Sequence, residues 1–245
     1  MKKNSLDFLL KSKIKFFRNL FFYYNIYIRN FKFFFEGSQF GESKEILKFL
    51  KEKKIGKYVD LGCFHPIRHN NTIELYRKKW QGINVDLNPL SIELFNFYRP
   101  KDININCAVS HKQGITYYFS NNILSPLNTL EKTHLTFLKK KFNISSTDFK
   151  KIKVQTFTLD EILERNKFYR VDFLNIDLEG HEFKVLRKFN FKRFSINIIC
   201  IEMLSYNSKS LDKNNKIHLL LKKNRFKLIK KIGLNHIYQC QKLKK

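Results

Sequence analysis

Short apolar runs recur along this chain, and several of them end on an acid or a glycine. Lys57–Leu61, Gly82–Asp86, Ile103–Ser110, Val171–Ile176 and Ile196–Leu204 have the length and near-continuous apolar character of strands buried on both faces. Amphipathic segments separate them: Thr72–Trp80, Ile92–Tyr98 and Asp160–Arg165. Ahead of the first run, Glu42–Lys53 sets Ile46, Leu47, Phe49 and Leu50 against lysines and reads as a helix. Behind the last run, Ile217–Lys223 reads as a helix, and Phe226–Ile232 and His236–Cys240 flank Gly233-Leu234-Asn235 as an antiparallel pair. Five strands alternating with helices and closed by a hairpin predict an α/β fold with a seven-stranded sheet.

Two segments break this rhythm. Residues 111–154 are too irregular for a simple crossover. Ile115–Phe119 reads as an edge strand, Asn121–Asn128 as a polar turn, Leu130–Phe142 as a helix and Ile152–Leu159 as a strand. They predict an insertion that walls the substrate cleft. The first 36 residues form an aromatic and basic arm, helical over Ser5–Phe35, with cations at Lys15, Arg18, Arg29 and Lys32. No uninterrupted apolar run there reaches the ~18–20 residues of a membrane span. Two uses stay open: an arm packed on the rest of the chain or on a partner subunit, or a helix lying in a bilayer interface. Its place ahead of the first motif predicts that it is dispensable for ligand binding.

Charge and cysteine usage narrow the class. The 245 residues carry 48 Lys and Arg against 21 acids, a formal net charge of +27. That balance favours anionic partners, but the cations are scattered from Lys2 to Lys245 and no RNA- or DNA-binding module is recognisable, so nucleic acid is not the expected partner. Cys63, Cys107, Cys200 and Cys240 are far apart and form no C-x-x-C pair, which argues against a zinc or redox site. Buried free thiols and the lack of a leader-like cleavage site predict a cytoplasmic protein, with peripheral membrane contact through the arm as the variant.

The chemistry collects at strand ends. Asp60 and Gly62 close the first strand in YVDLGCFHP, and Asp86 closes the second in GINVDLNP. Strand, helix, strand with an acid at the second tip is the geometry that places a carboxylate on ribose hydroxyls. Gly62 allows a tight turn and close backbone approach. Asn71 or Thr72 suits the helix cap between the two strands. The fourth strand runs into a second acidic turn, IDLEGHE, with Asp177, Glu179, His181 and Glu182 around Gly180.

Taken together, QFGE at Gln39–Glu42, YVDLGCFHP, NNT at Asn70–Thr72, WQGINVDLNP at Trp80–Pro89, AVS at Ala108–Ser110, TLDEIL at Thr158–Leu163 and FLNIDLEGHEFKVL at Phe173–Leu186 resemble the FkbM-type family of S-adenosylmethionine-dependent methyltransferases. The resemblance runs from about Gln39 to Glu202. It implies a Rossmann-like seven-stranded methyltransferase sheet with helices on both faces, spanning 37–245 behind the arm of 1–36. It implies methyl transfer from S-adenosyl-L-methionine, most often to a hydroxyl of a sugar, polysaccharide or natural product, so a small-molecule or glycan acceptor. Cys63-Phe64-His65-Pro66 stands where many methyltransferases carry further glycines.

By the same resemblance, Asp60 and Gly62 line the methionine end of the cofactor and Asp86 holds the ribose. Asn71, Thr72 and Asn88 add contacts, and Ala108 and Val109 meet adenine. Asp177, Glu179 and His181 are the expected catalytic residues. If Asp177 and Glu179 continue the strand they share a face, and one of the three orients or deprotonates the acceptor. Clustered carboxylates also suit a hard cation, but the ligand set is incomplete in the sequence and no metal is assigned. Two other functions compete: an acceptor that is RNA or lipid, and a basic membrane- or nucleic-acid-binding protein whose methyltransferase site has lapsed.

Overall fold

The protein is described by a computed structural model covering residues 9–10, 14–50, 53–120, 128–143, 145, 149–203 and 215–241. The polar turn expected over residues 121–128 falls almost wholly outside the described residues, as do Leu204 and much of the arm's beginning.

Seven strands form one sheet: β1 Lys57–Leu61, β2 Gln81–Asp86, β3 Ile103–Asn106, β7 Arg170–Ile176, β8 Ser195–Glu202, β9 Phe226–Ile232 and β10 Asn235–Cys240. Their order is β3-β2-β1-β7-β8-β10-β9. The first five run parallel, while β10 runs antiparallel to both β8 and β9. This is the expected Rossmann-like arrangement. The chain reverses direction beside β1, between β2 and β7, so the carboxyl ends of those three strands open onto one crevice.

Alternation along the strands explains the two helical layers. Val59, Leu61, Ile83, Val85, Leu174 and Ile176 point to one face, where they pack with α7 (Leu159–Arg165), α8 (Glu182–Leu186) and α9 (Lys216–Lys223). Tyr58, Phe173, Ile198 and Cys200 point to the other, against Ile46 of α3 (Glu42–Phe49) and Leu75 of α4 (Ile73–Arg77). Helix α7 starts at a reciprocal cap: Thr158 Oγ1 accepts from Glu161 N at 3.2 Å, and Glu161 Oε2 accepts from Thr158 N at 2.8 Å. The TLDE string is therefore a helix-start device. The four cysteines are free thiols, three of them buried.

The third apolar run does not form one strand. It is divided at Cys107: β3 ends at Asn106 in the main sheet, and Ala108–Val109 (β4) joins a second sheet of order β4-β6-β5. Strands β5 (Gly114–Ser120) and β6 (Lys150–Phe157) form the antiparallel hairpin of the insertion, with α6 (Lys132–Phe142) between them. Splitting the run bends the chain over the crevice, which one continuous strand could not do. Helix α3 is also shorter than its pattern, ending at Phe49.

The arm comprises α1 (Lys15–Tyr23), a π-helical turn at Tyr24–Arg29 and α2 (Phe33–Glu36). Phe21, Phe22, Ile26 and Phe33 share a buried cluster with Ile67, Ile73, Leu90 and Leu94, the last two on α5 (Pro89–Tyr98). Arg18 also pairs with Glu93 on α5. Asn25, fully enclosed, meets the loop after β1: His65 Nε2 lies 2.9 Å from Asn25 Oδ1. Because His65 Nδ1 accepts from the Ile67 and Arg68 amides, Nε2 carries the proton and donates to Asn25. Burial and the nearby Arg68 and Arg99 charges push the imidazole down to about 3, which keeps it neutral. This packing matches the first of the two expected uses, an arm packed on the rest of the chain.

Two substitutions test these contacts. Ile26→Ala opens a cavity in the arm's core and should cost about 2–5 kcal/mol in urea unfolding; an unchanged midpoint would mean that the arm does not hold the fold. At Gly62 (φ +78°) an added Cβ would fall 1.7 Å from the Asp177 carbonyl oxygen. Gly62→Ala must therefore part the tips of β1 and β7, and a fall in melting temperature of several degrees is expected.

Candidate functional site

The tips of three adjacent strands are tied together by backbone hydrogen bonds beyond the ladders. Gly62 and Cys63 donate to the Val85 carbonyl at 2.9 and 3.1 Å, and Asp177 N donates to the Leu61 carbonyl at 3.0 Å. Gly62 is required here because its Cα faces the Asp177 backbone, a closer constraint than the approach of a ligand. Above these tips lies a cavity of about 280 Å³. Asp60, Gly62, Asn71, Asp86, Ala108, Val109, Asp177 and Glu179 all line it. Thr72, Asn88 and His181 do not.

Asp86 is buried and accepts from Phe64 N at 2.8 Å and Asn88 N at 2.7 Å. A carboxylate has about four acceptor positions, so two remain after these bonds. Burial raises its pKa to about 6, against the pull of the two amides. Apolar Val85, Leu87, Ala108, Val109 and Leu130 line the same cavity. A carboxylate amid apolar groups is a donor set that a nucleoside could occupy, ribose on the acid and base on the apolar wall.

Asp60 is enclosed by side-chain donors. Its carboxylate accepts from Asn175 Nδ2 at 2.9 Å, Thr72 Oγ1 at 2.8 Å and Asn70 Nδ2 at 3.1 Å. Burial still raises its pKa, with those bonds and the Arg99 charge acting the other way. Asp60 thus serves chiefly to aim the amides of Asn70 and Asn175, both on the cavity wall. Asn175 Oδ1 in turn accepts from Asn71 Nδ2 at 3.0 Å. Thr72 lies behind the wall. It precedes α4 but makes no side-chain cap, because its hydroxyl serves Asp60. Asn88 caps α5, with Oδ1 accepting from Leu90 N at 3.0 Å.

Beneath this wall lies an arginine from the turn that follows α5. Arg99 is fully buried. Its guanidinium donates to Thr72 Oγ1 at 2.9 Å, Asn70 Oδ1 at 2.8 Å, Tyr58 Oη at 3.2 Å and the Pro66 carbonyl. It also lies over the Phe95 ring, 4.8 Å from its centroid. An isolated Arg before a proline carries no sequence signal for this role.

The acidic turn after β7 differs from its strand-like reading. The strand ends at Ile176, and Glu179 adopts a positive φ of 51°. Asp177 and Glu179 reach the same cavity through this turn, not by strand alternation. Glu182 folds back inside it, accepting from Leu178 N at 2.9 Å and Gly180 N at 3.1 Å. His181 points away from the cavity. Its Nε2 is 3.0 Å from Ser110 Oγ, and its Nδ1 meets Glu131 at the start of α6. That contact, chiefly, holds Glu131 down to about 2. His181 therefore ties the acidic turn to the insertion. His134 Nε2, also from α6, lies 2.8 Å from Glu179 Oε2.

The missing third acid comes from the next strand. Glu202 ends β8 and lines the cavity with Asp177. Asp177, Glu179 and Glu202 each offer an oxygen within 4.8 Å of the others, a set that a hard cation could occupy. Burial raises the Asp177 pKa well above the carboxylate range, reinforced by the Glu202, Glu179 and Glu182 charges. Burial likewise pushes Glu202 up to about 8. The two titrate as a pair that keeps a proton where lone carboxylates have lost theirs. A strand-end Glu in an apolar run was the signal available in sequence, but only the sheet order puts β8 beside β7.

Comparison with known proteins bears on this geometry. No curated protein matches the chain. Among solved structures, a TehB-like SAM-dependent methyltransferase from Corynebacterium glutamicum ATCC 13032 Kitasato is similar at 8% identity and a TM-score of 0.41, over 82% of this chain and 88% of its own. The model of the methyltransferase FkbM domain matches residues 55–228, which contain every strand of the sheet up to the start of the closing hairpin and all the acids of the cleft. The chain belongs to the methyltransferase FkbM domain family, and membership implies use of S-adenosylmethionine.

Proposed function

We propose that this protein transfers a methyl group from S-adenosylmethionine to a hydroxyl of a sugar, in a glycan, glycolipid or related metabolite. The observation that carries this reading is the Asp177–Glu202 carboxyl pair on the cleft wall. S-adenosylmethionine supplies an electrophilic methyl group on a sulfonium. What this chain must add is a seat for it, an aimed acceptor oxygen and a place for the acceptor's proton. Asp86 offers two free acceptor positions for the ribose hydroxyls. Ala108, Val109, Leu87 and Leu130 form the apolar wall for adenine. Gly62 and the amides aimed by Asp60 border the methionine end.

The charged member of the Asp177–Glu202 pair is the base that takes up the acceptor's proton. Glu179, with His134 beside it, helps to orient the acceptor. Gln39, Asn71, Asn128 and Arg68 supply polar groups on the same wall, which suit a hydroxyl-rich acceptor. His181 is a positioning residue, acting through Glu131 and the insertion. The net charge of +27 favours a second reading, in which the acceptor is an anionic RNA or lipid.

A screen with labelled cofactor against cellular glycans, lipids and RNA tests the acceptor. Label in glycans or glycolipids is expected, and label confined to RNA would overturn the sugar reading. Calorimetry tests the class: no heat on titration with S-adenosylmethionine would leave only a binding protein with a lapsed site. Asp86→Ala should weaken cofactor affinity by about tenfold or more, the loss of a buried charged contact worth roughly 1.5–3 kcal/mol, with little change in turnover at saturation.

The pH profile tests the base. Because burial raises the pair's proton affinity, its basic form is depleted below about pH 8, and kcat should rise as pH increases through about 8. Glu202→Gln removes a like charge beside Asp177, so the remaining limb should move to lower pH while turnover falls by ~10²–10⁴. His181→Ala should instead lower the melting temperature and raise the acceptor KM, leaving the limb in place. An unmoved limb in Glu202→Gln would exclude the pair as the base.

A further inference from the structure

The arm has two apolar faces, and only one is covered. Phe21, Phe22, Ile26 and Phe33 are buried against the body of the protein. Phe16, Leu20, Tyr23, Tyr27, Phe31 and Phe35 face water, Phe16 at 65%, Phe31 at 56% and Phe35 at 78% exposure. Phe16, Leu20 and Tyr23 share one side of α1 by steps of four and three. Ring contacts continue from Tyr23: centroids lie 5.0 Å apart for Tyr23–Tyr27, 5.7 Å for Tyr27–Phe34, 6.2 Å for Phe31–Phe34 and 5.5 Å for Phe31–Phe35. An apolar stripe this continuous on a protein surface marks a docking site.

Charge selects the occupant. Exposed Lys15, Arg29 and Lys32, the last 4.0 Å from Glu36, flank the rings, and the whole chain carries +27. Aromatics with Lys and Arg beside them match the headgroup region of a bilayer, rings at the acyl boundary and cations on lipid phosphates. A second copy of the chain would bring another +27 and be repelled. No helix among the described residues is long and apolar enough to cross a membrane, which is consistent with lying on one. The arm also borders the cleft: the Phe33 ring is 4.7 Å from the His69 ring, and Arg68 lies 5.8 Å from the Phe33 centroid. His69 and Arg68 both line the cavity. We propose that the exposed aromatic stripe of the arm docks this protein on an anionic bilayer surface, with the cleft mouth beside the lipid.

Docking is measured without turnover, so its failure is separable from failure of the methyl-transfer reading. The full chain is cosedimented with vesicles of phosphatidylglycerol and phosphatidylcholine, and with phosphatidylcholine alone, at physiological salt. Sedimentation velocity without vesicles reports its oligomeric state. Binding to the anionic vesicles is expected, and the combined variant Phe16→Ser, Phe31→Ser, Phe35→Ser should bind about tenfold or more weakly while keeping its S-adenosylmethionine affinity. If the combined variant unfolds, Phe35→Ser alone, at the most exposed position, still gives a weaker bound fraction on this proposal. No binding by the parent chain overturns it. Equal binding by parent and variant also overturns it, because the scattered cations would then suffice. A parent dimer that the variant abolishes makes the stripe a subunit interface instead.

Discussion

A buried guanidinium supports the floor of the cleft. Removing Arg99 from water carries a large desolvation cost, which partners on its two terminal nitrogens offset. Thr72, Asn70, Tyr58 and the Pro66 carbonyl supply them, and the Asp60 carboxylate sits on the far side of Thr72 and Asn70. These contacts join the tip of β1, the loop that follows it, the start of α4 and the end of α5. Each donor and acceptor holds the next, so Asn70 and Asn175 meet the cavity in one orientation. A buried polar network of this kind specifies geometry because a half-satisfied version is costly.

The acids around the cleft do different work because their surroundings differ. Asp60 accepts from three side-chain donors and acts as an anchor. Asp86 keeps free acceptor positions among apolar neighbours. Asp177 and Glu202 lack comparable donors and face each other, so they keep a proton. Glu182 spends its carboxylate on the amides of its own turn. All five carry the same carboxyl group, and environment assigns the roles.

The arm and the insertion are each held beside the cleft, by different means. The arm is held by buried apolar side chains and the Asn25–His65 hydrogen bond. The insertion is held by the hairpin of β5 and β6 and by polar ties, His181 with Glu131 and Ser110, and Thr129 to the Glu179 carbonyl at 3.0 Å.

The order of strands and helices was legible in the sequence because buried strands leave long apolar runs and amphipathic segments leave a helical period, whereas the cap expected at Asn71 or Thr72 is not formed because those side chains serve Asn175 and Asp60. Asp86 was legible for a similar reason: an acid at the end of the second strand has a fixed place in this sheet. Pairing between distant segments was not legible. Nothing local to Arg99 or Glu202 indicates what lies across from them, and the break at Cys107 follows from β4 pairing with β6, some fifty residues on. Gly62 was found as a glycine that the turn requires, but the requirement comes from the Asp177 backbone, brought there by β1–β7 pairing. Strand identity is a property of the local pattern, whereas burial, partner and protonation belong to contacts that only the folded chain creates.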